Sequence, residues 1–333
     1  MRNYTPLVDI KDVEDFRTEE EKKGEVSRYG DRRNGKLYCY SSTTKLAINI
    51  ALATGRPLLI IGPTGCGKSA IAFNLARKMK RKYYEFVVSS RSQARELVYR
   101  YDAVRRLGDA QARTINNDSE YPIWKTQNPY IEPGCLWWIY DPYSATKRGY
   151  FGGENLPFPA AKDPAWKYNN NQKKSPSEAV LLIDEIDKAD IDFPNNLLVA
   201  LGSRQLFIEE IAKTISINKA VASDPLSQPL VIITSNQQRP LPDTFVRRCV
   251  VLEIKAPTQK EMIDIAIVTY GPEDEGFYDS VAKKYDGLNK SGLNVAEYLD
   301  AIQALKELKI DMKNTEVVDK IIGNISWRSS ESY

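Results

Sequence analysis

The sequence predicts an α/β fold: a parallel sheet covered by helices on both faces, followed by a smaller all-helical segment. Three observations carry this. Short, fully apolar runs alternate with longer amphipathic stretches between Leu58 and Ile254; a glycine-rich turn joins one apolar run directly to a helix-like segment; and strand signals stop after Pro257. Apolar runs of roughly four to eight residues bounded by turn signals suit strands buried on both faces. Their alternation with helical patterns suits a parallel arrangement.

Taken in order, Lys11–Glu25 is mostly charged and reads as a solvated arm or a short exposed helix. Ser42–Thr54 places Leu46, Ile48, Ile50, Leu52 and Ala53 behind Ser42, a residue type suited to a helix N-cap. Leu58–Ile61, Tyr83–Val88, Ala179–Ile183, Leu230–Thr234 and Val250–Ile254 read as buried strands. Ser69–Arg81, Arg91–Gln111 and Phe193–Gly202 read as helices between them. Asp141–Ser177 is rich in Pro, Gly, Asn, Lys and aromatics without a clean period, and reads as a long surface insertion. Arg204–Asn218 reads as a hairpin of Gln205–Ile208 and Thr214–Ile217. Beyond Pro257, Thr258–Tyr270, Gly276–Tyr285, Asn294–Lys309 and Thr315–Ile322 are all helix-like. No repeat of fixed period is present.

Composition narrows the chemistry. With 333 residues, 42% hydrophobic and 27% charged, the chain has ordinary globular usage and length for a core plus an appendage. No apolar run approaches the roughly 20 residues that cross a bilayer. Met1–Ile10 holds Asn3, Tyr4, Pro6 and Asp9, so a secretory leader is not expected. Cys39, Cys66, Cys135 and Cys249 are scattered and form no C-x-x-C pair, as expected of a reducing cytoplasm without structural zinc. Histidine is absent, which excludes Ser–His and Cys–His couples and imidazole metal sites. A net charge of only +3 does not point to nucleic acid.

Gly62-Pro63-Thr64-Gly65-Cys66-Gly67-Lys68-Ser69 is a complete G-x-x-x-x-G-K-[ST] P-loop, or Walker A motif, between a predicted strand and a predicted helix that continues through Ala70. Its glycines allow a tight turn whose N–H groups converge on phosphates. Lys68 reaches the β- and γ-phosphates, and the Ser69 hydroxyl suits Mg²⁺. Helix dipole adds to the same anion site. The strand Ala179–Ile183 ends in Asp184-Glu185, the Walker B pattern. Two carboxylates after a buried strand need a reason, because unpaired buried charge costs several kcal/mol. Asp184 suits Mg²⁺, and Glu185 suits polarising a water for in-line attack. The plain alternative is a helix N-terminus that favours acidic residues.

With these motifs the chain resembles the AAA+ superfamily, and within it the MoxR-like ATPases and their dynein-related neighbours. Thr234-Ser235-Asn236 resembles the sensor-1 strand end, which implies that Asn236 bonds the attacking water or γ-phosphate. Leu241–Cys249 is similar to the short helix ending in an arginine finger; alignment on the usual Arg-Phe ending puts Arg248 at the finger, with Arg247 as its rival. A helix C-terminus enriched in arginine is the plain alternative. The resemblance covers about Lys36 to Lys309 and implies ATP and Mg²⁺ as cofactors. It further implies a core of five parallel strands and a ring, usually hexameric, that remodels a protein client or a partner with a von Willebrand factor A-type domain. The resulting organisation is an arm over 1–35, an α/β nucleotide-binding core over 36–256 with the insertion at 141–178 and the hairpin at 204–218, and a helical lid over 257–333. A further insert is expected around Asn116–Pro133.

Two departures stand out. Asn294–Asp300, where many relatives carry a sensor-2 arginine, has none; either the contact is missing or another residue supplies it, Arg328 being a candidate. The stretch before Walker B is long and holds Tyr143, Tyr150, Phe151, Phe158, Trp166 and Tyr168, either a partner surface or a satellite cluster that packs the loop down. The rival function is a nucleic-acid-directed motor of a restriction or defence system. Against it stand the absence of an N-K-x-D motif after the core and of a basic stripe with interleaved aromatics.

Overall fold

The computed structural model describes residues 4–23, 35–115, 126–153, 155–165, 178–217, 224–288 and 294–326. The five apolar runs form one sheet of β1 (Leu58–Ile61), β2 (Lys82–Val87), β3 (Ala179–Asp184), β4 (Leu230–Ser235) and β5 (Val250–Glu253), in the order β5-β1-β4-β3-β2. The strands are parallel: Leu230 lies opposite Val180, and Lys82 through Val87 run opposite Ala179 through Asp184. Every residue of β3 and β4 is buried, which is why they read as continuous apolar runs without alternation. Flanking helices include α1 (Ser42–Thr54), α2 (Lys68–Lys78) and α3 (Asp192–Ser203). In α2, Ile71, Ala72, Leu75 and Ala76 are fully buried, the spacing of one helical stripe.

The chain forms two compact units, one of Met1–Ile10, Ser42–Ile60 and Leu75–Leu252, the other of Lys11–Ser41, Ile61–Asn74 and Glu253–Tyr333. In the first, Arg91–Gln111 departs from its expected single helix. Helix Ala94–Val98 gives way to strand Tyr99–Tyr101, and a new helix runs over Ala103–Ile115. The cause is tertiary: Tyr99 and Tyr101 pair antiparallel with Pro133 and Ile131, and an aromatic strand with a partner overrides local helical spacing. The hairpin forms as Gln205–Ile208 against Lys213–Ser216.

Of the insertion before β3, the described part is pinned down. Asp141 caps helix Pro142–Thr146 through the Ser144 N–H at 3.0 Å, and Asp163 accepts the Tyr84 hydroxyl at 2.9 Å and pairs with Lys82. Part of its aromatic set packs as a satellite cluster. Phe158 is buried with Tyr150 edge-on at 5.6 Å, whereas Tyr143 and Phe151 are exposed; Trp166 and Tyr168 lie outside the described residues. So does most of the insert expected near Asn116, whose described end supplies the strand Ile131–Pro133.

In the second unit, the charged stretch Lys11–Glu25 is more ordered than a solvated arm. Glu19–Lys23 is the expected short helix, but Val13–Asp15 pairs antiparallel with Leu37–Cys39 and turns Glu14 inward, where its carboxylate accepts the Lys11 N–H. Four helices follow Pro257, close to their expected bounds: α4 (Gln259–Tyr270), α5 (Glu275–Leu288), α6 (Val295–Glu307) and α7 (Thr315–Ile325). Their core includes Tyr278, Tyr285, Tyr298, Ile302 and Ile322. The buried rings are admissible because their hydroxyls are satisfied: Tyr298 donates to the Tyr278 carbonyl at 2.9 Å, and Tyr285 to Glu297 Oε2 at 2.6 Å. A Thr258–Glu261 capping box starts α4, and Gly271 at φ 104° ends it.

Asn74, fully buried in α2, ties this unit together. Its Nδ2 donates to the Glu14 carbonyl at 3.2 Å and the Gly35 carbonyl at 3.0 Å, while Oδ1 accepts the Tyr40 hydroxyl at 2.9 Å. Asn74→Ala removes one hydrogen bond from each of three groups at once, so it is expected to cost about 2–4 kcal/mol, against about 1 kcal/mol for Tyr40→Phe. Urea denaturation of the two variants checks this; equal midpoints would contradict the role given to Asn74.

Candidate active site

The P-loop leaves β1 at Gly62, where the chain runs so close to the neighbouring strand exit that a Cβ would lie 2.3 Å from the Ile254 carbonyl oxygen. Gly65 and Gly67 hold φ of 78° and 85°, a region that L side chains rarely adopt, and this is what curls the loop. Thr64 and Pro63 are exposed at its tip, and Ser69 and Ala70 in the first turn of α2 are half-buried. Lys68 is buried, and its ammonium donates to the Gly62 and Pro63 carbonyls at 2.8 and 2.6 Å. Burial pushes the Cys66 thiol up, so Cys66 is a filler of the loop more than a nucleophile. Tyr38, from the strand Leu37–Cys39, packs on Gly67 with its ring 3.2 Å from the Cβ position. Burial raises its phenol, which stays neutral.

Asn294 occupies the start of α6, the stretch without the sensor-2 arginine. Its Oδ1 caps the helix by accepting the Ala296 and Glu297 N–H groups at 2.9 and 3.3 Å, and its Nδ2 donates to Glu297 Oε1 at 2.9 Å. The same carboxamide packs on Gly65, 2.1 Å from where a Cβ would stand. The start of α6 thus meets the P-loop through an asparagine. Arg328, the other candidate, lies outside the described residues.

In the first unit, β3 and β4 end side by side and their exits are joined by one hydroxyl. Thr234 Oγ1 donates to Asp184 Oδ1 at 2.6 Å and accepts the Glu185 N–H at 2.9 Å. Asp184 is 1% exposed, whereas Glu185 turns out of the strand in a left-handed conformation at φ 61°. The Glu185 carboxylate accepts Asn236 Nδ2 at 3.1 Å and pairs with Lys188 at 2.5 Å. Buried Asp187 accepts the N–H groups of Asn236 at 3.1 Å and Gln238 at 2.9 Å, holding the turn after β4 against the turn after β3. Thus Asp184, Glu185 and Asn236 come together. Thr234 and Asp187 are the residues that sequence reasoning missed: a threonine in a β-branched run looks like strand filler, and an acid after Glu185 looks like a helix start.

Arg247 and Arg248 follow helix Asp243–Val246, are exposed, and make no side-chain hydrogen bond or ion pair among the described residues. Their carbonyls are taken by another residue: Arg56 Nε donates to the Arg248 carbonyl at 3.1 Å, and its Nη2 to that of Arg247. Among the described residues neither guanidinium bonds a carbonyl of its own helix end. Cys249 is buried beside them, its thiol pushed up to about 12 by burial.

Thr234→Val keeps the shape of the side chain while stripping Asp184 of a donor and the Glu185 N–H of its acceptor. It is expected to cost about 2–3 kcal/mol, with Thr234→Ser costing under about half of that. Thermal denaturation of the three proteins checks this; a valine variant as stable as the parent would remove the hydroxyl from its central role.

Comparison with known proteins places this geometry. Residues 57–249, more than half of the chain, match the model of the AAA domain, dynein-related subfamily. No curated protein matches the sequence. Among solved structures, a proline-to-glycine mutant of Thermotoga maritima RuvB is 16% identical, covering 85% of this chain and 68% of that one at a TM-score of 0.44. The Thermotoga maritima RuvB Holliday junction branch migration motor is 15% identical, covering 84% of this chain and 66% of that one at 0.41. This chain thus spans about two thirds of the RuvB chains. On the family match, the chain belongs to the AAA family, in its dynein-related subfamily.

Proposed function

We propose that the chain is a Mg²⁺-dependent ATP hydrolase of MoxR-like type that works as a ring, a hexamer, and uses hydrolysis to remodel a protein client or a partner carrying a von Willebrand factor A-type domain. The observation that carries the hydrolase reading is the sorting of two adjacent carboxylates by Thr234. Asp184 is buried and hydrogen-bonded, the setting of a carboxylate that faces a cation. Glu185 is turned the other way, beside an amide, the setting of a base that meets water.

The donor set fits the group it would hold. Ser69 offers a hydroxyl and Asp184 a carboxylate, hard oxygen ligands suited to Mg²⁺, which when bound supplies charge neutralisation for the β- and γ-phosphates. Gly62–Ala70 would take the phosphates. Lys68 would exchange two neutral carbonyls for charged phosphate oxygens, a stronger, charge-assisted pairing. Glu185 would draw the proton from the attacking water, and Asn236 would fix the orientation of that carboxylate or of the water. Arg248, exposed and uncommitted, is the group that would serve a neighbouring subunit, with Arg247 as its rival; that is what supports a ring.

Lys68→Ala is expected to abolish ATP binding, whereas Glu185→Gln keeps binding and stops turnover, because lysine neutralises the ground state and the glutamate acts only on water. Equal loss of affinity in both would sink the assignment.

Arg248→Ala is expected to lower turnover about 10³–10⁵-fold. A mixture of Arg248→Ala with Lys68→Ala subunits should recover activity, since an intact P-loop receives the finger of its neighbour. A mixture that forms rings and stays inactive rules out the trans role, and the same pairing with Arg247→Ala identifies the other arginine. Stimulation of the parent by DNA, with none by any protein client, would move the function to the nucleic-acid class.

A further inference from the structure

We propose that Arg56 is a positioning residue for the arginine finger, holding the Arg247–Arg248 backbone and joining it to the strand that leads into the chain's own P-loop. The proposal rests on the reading that this finger acts in trans. Arg56 stands immediately before Pro57 and β1, far from the finger in sequence, yet its one guanidinium bonds both finger carbonyls, the Arg248 carbonyl through Nε at 3.1 Å and the Arg247 carbonyl through Nη2. The next residue continues the link: the Val250 N–H donates to the Pro57 carbonyl at 2.8 Å. Behind it, Arg204 reaches the Gly55 carbonyl at 3.4 Å. The turn from Arg247 to Val250 is therefore stitched to Arg56-Pro57 at three successive points.

A planar fork that spans consecutive carbonyls fixes the direction in which both peptide planes face, and so the direction in which the side chains between them leave the chain. It also places a third positive charge under the turn, which disfavours either finger arginine lying against its own backbone. Arg56 is exposed, so these bonds add little to stability. Orientation is what they supply. Because Arg56 leads directly into β1 and the P-loop, a shift of that strand moves the finger offered to the neighbour, a direct link between one nucleotide site and the next.

The test separates finger donors from finger acceptors. The reference is a ring of Lys68→Ala subunits, which can only donate a finger, with Arg248→Ala subunits, which can only accept one. Arg56→Gln is introduced into the donor alone or into the acceptor alone, ring formation is followed by sedimentation, and ATP turnover is measured. In the donor it is expected to lower turnover on the order of 10- to 100-fold, the effect of misplacing a catalytic group by about an ångström. In the acceptor the reference rate should persist. Arg56→Lys in the donor, which keeps the charge without the fork, should lie between. Equal loss in both arms, from weakened folding or assembly, overturns the proposal, as does no loss in either. If the reference ring itself is inactive, the trans finger is wrong and the proposal falls with it, an outcome visible before any Arg56 variant is made.

Discussion

A single hydroxyl sets how the end of the sheet is used. Thr234 has one proton and two lone pairs, so once it donates to Asp184 it is free to accept from the Glu185 N–H, and it does both. The first bond is one of those that satisfy the buried Asp184 carboxylate, a charge costly to leave unpaired. The second holds Glu185 in a left-handed conformation that a residue with a Cβ does not adopt freely. From that reversal the rest follows. The chain turns through Ile186–Lys188, Lys188 comes back onto Glu185, and Asp187 collects the N–H groups of Asn236 and Gln238. Two carboxylates adjacent in sequence thus acquire opposite surroundings, one dry and one half-open.

The P-loop shows a different principle: its shape is held from outside. Positive φ at Gly65 and Gly67 allows the curl, but each of the three glycines is also pressed by a different segment. Gly62 faces the backbone at Ile254, Gly65 faces Asn294 at the start of α6, and Gly67 faces Tyr38 in the N-terminal strand pair. These neighbours are in turn fixed. Asn294 is engaged in capping its helix, and the strand pair is tied by Asn74, which lies in the helix that the loop itself starts. The loop is thus enclosed by the N-terminal strand pair and the start of α6, with an asparagine and no arginine at the second contact.

What was legible in the sequence is what a short window encodes. β3 and β4 stood out because burial on both faces leaves no alternation to misread, and the P-loop because its glycines and lysine act within one turn. The helices after Pro257 stood out through their own periodicity and caps, as with Thr258 and Glu261. Features that depend on a distant partner were not legible. Tyr99–Tyr101 looks helical until Ile131–Pro133 pairs with it, and Val13–Asp15 looks solvated until Leu37–Cys39 does. The role of Thr234 depends on a residue 49 positions away, and that of Arg56 on one 192 positions away. Nothing in the local pattern of either residue marks it.

The same contrast explains why the arginine turn carries so much of the functional argument. Elsewhere in the first unit, several cations have carboxylates: Lys82 has Asp163, Arg148 has Glu132, and Arg95 has Glu210. These pairs lie between segments and hold the insertion and the hairpin in place. Among the described residues no carboxylate pairs with Arg247 or Arg248, while the carbonyls of both are bonded to Arg56. Stability does not account for this, since leaving two guanidiniums in water neither gains nor costs much. The turn thus presents two exposed cations on a backbone that is held in place. Under the function proposed, the backbone held by Arg56 is what fixes the direction in which the finger arginine leaves the chain.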